Sequence, residues 1–275
     1  MAVDNVLKLY SKTIKSEFLH YGYWENPDLI NYEKITLNEI KNAQNRYIKN
    51  LSSYFPSNVK KVLDVGCGIG GNTKFLIEKG YNVEALSPDD YQKSIINKKF
   101  NDKVIFHHTK FENFISKNKY DLILESESAC YIKIDEGFKK AREILNLEGY
   151  LLVSDYFVYY KDESKNPHLK SSHDLNNYLS IAKKYGFELI KEYDQTENTM
   201  PTLDYAKYFV ERFLNPAIEY GLYSANKNFP KLSLIIEKFI GSKLNKKKEQ
   251  LRLINSSEFR KYRKYMIFLF QKKNV

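Results

Sequence analysis

From Lys60 to about Phe157 the chain alternates short apolar runs with longer amphipathic stretches. KVLDV, YNVEAL, KVIFHH, YDLILE and YLLVSDYF have the length and composition of buried strands. TKFLIEK, YQKSIINKKF and EGFKKAREIL place charged and apolar residues at helical spacing between them. Gly80 reads as the cap that ends the first helix, and Leu147 to Gly149 as the turn into the fifth strand. Strands alternating with helices imply crossover connections and a parallel sheet covered on both faces.

The flanks follow a different pattern. Residues 1 to about 56 read as helical and contain the aromatic stretch HYGYWE, His20 to Glu25. After Gly186, FELIKEY reads as a strand, and a long helical pattern then leads to a last strand, YMIFLF, Tyr265 to Phe270. Within PTLDYAKYFVERFLNPAIEY, Leu203, Ala206, Phe209, Val210, Phe213, Leu214, Ala217 and Ile218 share one helical face. Pro216 is expected to kink or end that helix. The expected organisation is an N-terminal helical cap over 1–56, a core over 57–194, a helical lid insertion over 195–263 and a last core strand over 264–275.

Composition narrows the class. Of 275 residues, 43% are hydrophobic and 15% aromatic, enough for a sizeable core and too many for a disordered chain. No run approaches the ~18 consecutive apolar residues of a transmembrane helix. The stretch MAVDNVLKLYSKTIKS lacks the apolar centre of a secretory signal. Cys67 and Cys130 are too few for a disulfide framework, so a reduced, cytoplasmic setting is expected. The net charge of +10 suits nucleic acid, an anionic membrane surface or an acidic substrate, but it also suits a surface simply rich in lysine. Lysines are scattered from end to end, and the single dense run is KLNKKK, Lys243 to Lys248. One run is not a binding footprint. No specific nucleic acid is expected; peripheral membrane contact and the oligomeric state stay open.

The candidate chemistry starts at VLDVGCGIGGNT, Val62 to Thr73. Gly66, Gly68 and Gly71 satisfy G-x-G-x-x-G after a strand and before a helix, a context that suits either a dinucleotide or S-adenosylmethionine. Glycines let the backbone approach a ligand closely, although such turns also serve tight packing. A pyrophosphate would meet a like charge at Asp64, at the end of the first strand. A cofactor carrying a sulfonium and an ammonium would be attracted there instead. The acid therefore favours the methyl donor over NAD.

VLDVGCGIGG resembles motif I of the class I S-adenosylmethionine-dependent methyltransferases, and the likeness runs from about Tyr21 to Phe157. Within that class the chain is similar to the tocopherol, sterol and mycolic-acid methyltransferase branch, through HYGYWE, ALSPDDYQ and ESESACYI. The resemblance implies an α/β, Rossmann-like sheet with an N-terminal helical cap and a helical insertion before the last strand. It implies donor contacts from Asp64, Gly66, Cys67 and Gly68, and from the acidic segment beginning at Glu125.

Many class I enzymes hold the ribose with an acid ending the second strand. The matching position is Ala85, with Glu84 directed to the opposite face, so Leu86, Ser87 and Gln92 are left to take the ribose. An acid near the adenine is replaced by Lys110, beside Phe111 and Glu112, which points to backbone contacts and the Phe111 ring. The cyclopropane-forming relatives carry a glutamate where this chain has Cys130, which disfavours cyclopropanation and leaves methylation.

Methyl transfer needs a base only when the acceptor must lose a proton, and much of its acceleration comes from positioning. Glu127 matches the acid of the sterol and tocopherol segment; its bland alternative is a solvated loop carboxylate. Tyr131 stands where relatives commonly carry histidine and suits substrate orientation or plain packing. Tyr21, Tyr23 and Trp24 are candidates to close over the sulfonium, or to anchor the cap. His20 is a candidate for the same cap but reads first as a lone surface histidine, and the cysteines read as packing residues. His107 and His108 are adjacent and point to opposite faces, so no shared metal is expected. The expected acceptor is small or lipid-like, walled in by the insertion. Protein or RNA methylation and an NAD-dependent oxidoreductase are the rivals.

Overall fold

The computed structural model describes residues 12–101, 103–159, 172–228 and 255–274. Seven strands form one sheet: β1 (Lys61–Val65), β2 (Asn82–Leu86), β3 (Phe106–His107), β4 (Tyr120–Ser126), β5 (Leu145–Val158), β6 (Phe187–Asp194) and β7 (Arg263–Lys272). Their order is β3-β2-β1-β4-β5-β7-β6. The first five strands pair in parallel, whereas β7 lies antiparallel between β5 and β6. This is the α/β, Rossmann-like arrangement expected from the alternating pattern.

The helices connecting these strands are α2 (Gly71–Glu78), α3 (Asp90–Phe100), α4 (Ile134–Ile144) and α5 (Leu175–Lys184), preceded by α1 (Leu37–Ser52). Side chains set several of their starts. Thr36 and Glu39 form a reciprocal capping box on α1, and Asp89 and Asp174 accept the amides of Gln92 and Asn177. Gly80 follows α2 at φ +90°, the left-handed conformation a glycine cap supplies.

Alternation along the strands divides the core in two. Leu63, Ile123, Leu151, Phe268 and Phe270 pack with α4 and α5 on one face. Val62, Leu122, Leu124, Leu152, Ile267 and Leu269 pack with Tyr47, Ile48 and Leu51 of α1 on the other. Both faces of the central strands are therefore buried, which is why these strands read as continuous apolar runs.

Three local expectations change. The fifth strand already begins at Leu145, and Leu147 to Gly149 lies within it as an irregularity: Glu148 has φ +57°, and the pairing to β4 shifts between Tyr120 and Leu122. Among the described N-terminal residues, only 12–14, two 3-10 turns and α1 are helical. HYGYWE is an irregular segment laid on α1, where a Cβ on Gly22 would come within 2.5 Å of Ala43 Cβ.

The third change concerns Pro216. Helix α6 (Thr196–Phe209) continues through a π-helical turn, Val210–Leu214, into α7 (Asn215–Asn228). The widened turn lies immediately before the proline, so helical hydrogen bonding resumes without requiring its missing N–H. The predicted apolar face is not uniformly covered. Leu203 and Val210 are buried, yet Phe213 is 54% exposed among the described residues. Helix α8 (Ser256–Tyr262) leads into β7. The basic run Lys243 to Lys248 lies outside the described residues. Among those described, no helix is long and apolar enough to cross a membrane.

Candidate active site

A cavity of about 450 Å³ opens at the carboxyl ends of β1, β2 and β4. Its floor is the loop between β1 and α2, where Gly66, Gly68 and Gly70 have φ of +71°, +56° and +79°. These angles explain the glycines, because other residues adopt them at a cost. The Gly66 and Cys67 amides both reach the Leu86 carbonyl, pinning the loop to the end of β2. Gly66 also admits a second loop: a Cβ there would sit 2.4 Å from Ser128 Cβ. Ser128 in turn donates to the Val65 carbonyl at 2.6 Å.

Asp64 does not line this cavity. Its carboxylate is buried behind the loop and accepts the Thr73 hydroxyl at 2.6 Å. Burial pushes its pKa up to about 6, against the hydrogen bonds from Thr73. The structure thus places Asp64 as a brace under the loop, where the sequence points to a group facing the ligand. Glu125 is also displaced from the expected place. It faces the core side with Phe138, Leu151 and Tyr178, and burial raises its pKa to about 8.

The end of β2 carries no acid toward the cavity. Glu84 is buried elsewhere, where it meets Lys61 Nζ at 2.8 Å, His107 Nε2 at 2.7 Å and the Tyr120 hydroxyl at 2.6 Å. Leu86, Ser87 and Gln92 line the cavity instead. Ser87 donates to Gln92 Oε1 at 2.6 Å, which fixes that oxygen and leaves the amide nitrogen as the donor for a ligand. Lys110, Phe111 and Glu112 complete this end, with Phe111 buried. His107 and His108 go separate ways: one binds Glu84, the other the Pro88 carbonyl and Asp90.

At the opposite end, the loop after β4 brings Glu127, Ser128, Tyr131 and Ile132 to the wall. Glu127 has φ +52°, a left-handed conformation uncommon for a residue with a side chain. Its amide donates to the Ser154 carbonyl at 2.8 Å. Its Oε1 accepts both the Tyr21 amide at 2.7 Å and the Tyr265 hydroxyl at 2.6 Å. Burial raises the Glu127 pKa to about 8, partly offset by those two donors. Asp155 accepts the amides of Cys130 and Tyr156, so it holds the same loop from below. Tyr131 is 75% exposed at the rim.

The cover comes from His20 of HYGYWE and from the three residues just before it, which the pattern does not mark. Glu17, Phe18, Leu19 and His20 lie over the glycine loop and line the cavity. His20 is buried, not superficial: it stacks on Tyr47 with ring centres 4.2 Å apart and bonds Asn72 at 3.0 Å. Burial lowers its pKa to about 4, so the ring is neutral at pH 7.

The Tyr21 and Tyr23 side chains fall outside the cavity wall. Tyr21 packs on Tyr265, and Tyr23 approaches the Tyr193 hydroxyl. Trp24 joins a separate cluster with Ile35, Ile40 and Ala43, and donates to Thr202 of α6 at 2.9 Å. The insertion thus packs on the N-terminal segment and supplies no residue to the described cavity wall, so the expected wall from the insertion is not found among the described residues. No sequence pattern marks Tyr265 or Tyr47 as part of the site. Alternation places Tyr265 on the face of Ile267 and Leu269, but it does not say which loop that face meets.

A family model described as a methyltransferase domain matches residues 40–192, more than half of the chain. Sterol 24-C-methyltransferase ERG6 of Saccharomyces cerevisiae is 27% identical, with 50% of this chain and 41% of that enzyme covered. The match therefore spans less than half of that relative's length. A Galdieria sulphuraria protein provisionally described as a sarcosine dimethylglycine methyltransferase has a similar structure, with TM-score 0.74 and 18% identity, covering 98% of this chain and 99% of that one. Geranyl diphosphate C-methyltransferase from Streptomyces coelicolor A3(2), in complex with Mg2+, geranyl diphosphate and S-adenosyl-L-homocysteine, matches with TM-score 0.66 and 14% identity over 95% of this chain and 92% of that one.

Proposed function

The chain belongs to the methyltransferase domain family, and from that premise we propose that it transfers a methyl group from S-adenosylmethionine to a small, apolar or lipid-like acceptor. The carrying observation is that the glycine loop and Glu127 open on one cavity at the carboxyl edge of the sheet. Its volume of about 450 Å³ falls within the range of small-molecule sites.

The residues suit the donor. The bare loop at Gly66 and Gly68 admits a close approach; in this reading Ser87 and Gln92 take the ribose and Phe111 the adenine, supported by their positions on the cavity wall. When bound, S-adenosylmethionine supplies an electrophilic methyl group on a sulfonium. The chain contributes position and exclusion of water: residues 17–20 cover the glycine loop, and Glu127 stands at the other end of the wall. Glu127 takes up a proton from the acceptor where one must leave, or offsets positive charge there. Tyr131 at the rim orients the acceptor.

Phe18, Leu19, Ile132 and Tyr131 give the cavity apolar and aromatic walls. The relatives that act on a sterol and on geranyl diphosphate support an apolar, lipid-like acceptor. The cover over the loop favours a small molecule over a protein or RNA, and the family match displaces the oxidoreductase reading.

The test is a thermal melt with S-adenosylhomocysteine and with NAD. At 100 times its dissociation constant the former should stabilise the fold by about 2.7 kcal/mol, and NAD should do little. Stabilisation by NAD alone would overturn the donor assignment. Mass spectrometry of small molecules that copurify tests the acceptor class, and recovery of bound RNA would count against it.

A further inference from the structure

Glu127, in the loop after β4, is the end of a chain of donors drawn from four other parts of the fold. Gln195 Nε2, just beyond β6, lies 2.8 Å from Ser154 Oγ of β5. Ser154 Oγ is 2.6 Å from the Tyr47 hydroxyl of α1, which is 3.0 Å from the Tyr265 hydroxyl of β7. Tyr265 is 2.6 Å from Glu127 Oε1. Ser126 adds a contact to Tyr47 at 3.4 Å.

Proton counting fixes the direction. A hydroxyl has one proton to give. The Tyr265 proton goes to Glu127, so its oxygen must accept from Tyr47, and the Tyr47 oxygen must accept from Ser154. Ser154 in turn accepts the amide proton of Gln195. Every donor points the same way, toward the carboxylate. An amide does not surrender its proton at neutral pH, so this chain polarises but does not conduct.

We propose that the Gln195–Ser154–Tyr47–Tyr265 chain positions Glu127 and stabilises its ionised form, leaving Oε2 as the oxygen that exchanges a proton with the acceptor. The Tyr21 amide and Tyr265 both occupy Oε1, and among the described residues Oε2 has no donor. A proton added to Glu127 therefore goes to Oε2. Head-to-tail bonds polarise one another, so each link strengthens the next. The other charged group facing this carboxyl is Asp155 of β5, which disfavours its charge; the nearby Cys130 thiol is pushed up by burial and stays neutral, and a neutral His20 stacks on Tyr47. Tyr47 and Tyr265 are positioning residues, and the assignment rests on the methyltransferase reading for the use made of Oε2.

The test reads the carboxyl directly and needs no acceptor. The full chain is labelled with [δ-13C]glutamate and titrated by NMR from about pH 5 to about pH 10. The Glu127 signal is assigned by its loss in Glu127→Gln. Tyr265→Phe should raise the midpoint by about one to two pH units, since a donor to the charged form is lost. Tyr47→Phe should raise it by less, although Tyr47 does not touch Glu127. A purely structural role would lower the melting temperature and leave the midpoint unchanged. An unmoved midpoint in folded Tyr47→Phe overturns the proposal, whatever Tyr265→Phe does. S-adenosylhomocysteine binding is measured on the same samples, and its absence in the unmodified chain would defeat the donor reading separately.

Discussion

Thr73 donates its hydroxyl to the Asp64 carboxylate at 2.6 Å, tying the first turn of α2 to β1 behind the glycine loop. Thr73→Val keeps the shape and removes the donor, leaving a buried carboxyl without it. The cost should be about 1–3 kcal/mol by urea unfolding. Asp64 has a folded pKa of about 6, above its ordinary 3.8, so its contribution to stability is full below about pH 4 and lost as pH rises through 6. The variant should therefore lose more at pH 7 than at pH 4. Equal losses at both would show that Asp64 ionisation does not depend on Thr73.

Two glycines in the loop should respond differently. At Gly66 a Cβ would meet Ser128 Cβ at 2.4 Å with φ +71°, so Gly66→Ala adds overlap to left-handed strain of about 1–2 kcal/mol. At Gly68 the nearest atom is the flexible Leu19 Cδ1 at 3.3 Å. Gly68→Ala should cost about the strain alone. The measurement is again urea unfolding, and a Gly66→Ala variant as stable as Gly68→Ala would refute the contact argument.

This contrast shows what the sequence could and could not tell. The strand-loop-helix placement of the glycines was legible because φ > 0 leaves a compositional mark. That Gly66 serves Ser128 was not legible, since Ser128 arrives from another crossover. The sequence points Asp64 at the ligand through charge alone, attraction to a sulfonium and an ammonium; its commitment to Thr73 depends on the rotation of α2. Glu127, marked by the resemblance, does line the cavity. Its partner Tyr265 lies 138 residues away, beyond the reach of any local pattern. HYGYWE stands out for its aromatics, yet of these residues only His20 lines the cavity, and Glu17 to Leu19 just before it supply the rest of the cover.

Glu84 gives the acid limb of stability. Although its burial opposes ionisation, the hydrogen bonds from Lys61, Tyr120 and His107 hold its pKa down at about 2, below the ordinary 4.5. Its contribution is thus present above pH 4.5 and lost as pH falls toward 2. That shift corresponds to about 3 kcal/mol. Glu84→Gln should destabilise by an amount of that order at pH 7 and show a shallower loss between about pH 5 and pH 3. Unfolding curves that run parallel to those of the unmodified chain across that range would rule the network out.

Glu127 governs turnover if it takes a proton. With its pKa raised to about 8 by burial, the ionised base is the minority form at pH 7, and the rate should climb through pH 8 and level above it. Once copurification supplies an acceptor, Glu127→Gln should retain S-adenosylhomocysteine affinity and lose about 100-fold or more in rate. A flat pH profile with an unchanged rate would return Glu127 to a structural role.

The cover over the glycine loop can be loosened in two ways, and their magnitudes separate ion pairing from packing. Glu17 meets Lys74 Nζ at 3.0 Å and Lys99 Nζ at 3.6 Å, which looks like a latch. Glu17 is 49% exposed and Lys74 40%, however, and exposed pairs contribute about 0–1 kcal/mol. Lys74→Met should therefore speed S-adenosylhomocysteine release by no more than about fivefold, and high salt should mimic it. Gly71 tests the packing. It is the first residue of α2, where alanine is a better helix former, so the backbone gives no reason for harm. Yet a Cβ there would lie 2.3 Å from the Glu17 carbonyl oxygen and 2.5 Å from the Phe18 ring. Neither atom can yield without lifting the segment, since the first is backbone and the second is buried. Gly71→Ala should leave helix content unchanged and weaken binding well beyond the Lys74→Met effect, by calorimetry. If the two variants weaken binding equally, the ion pair and not the packed backbone keeps the cover closed.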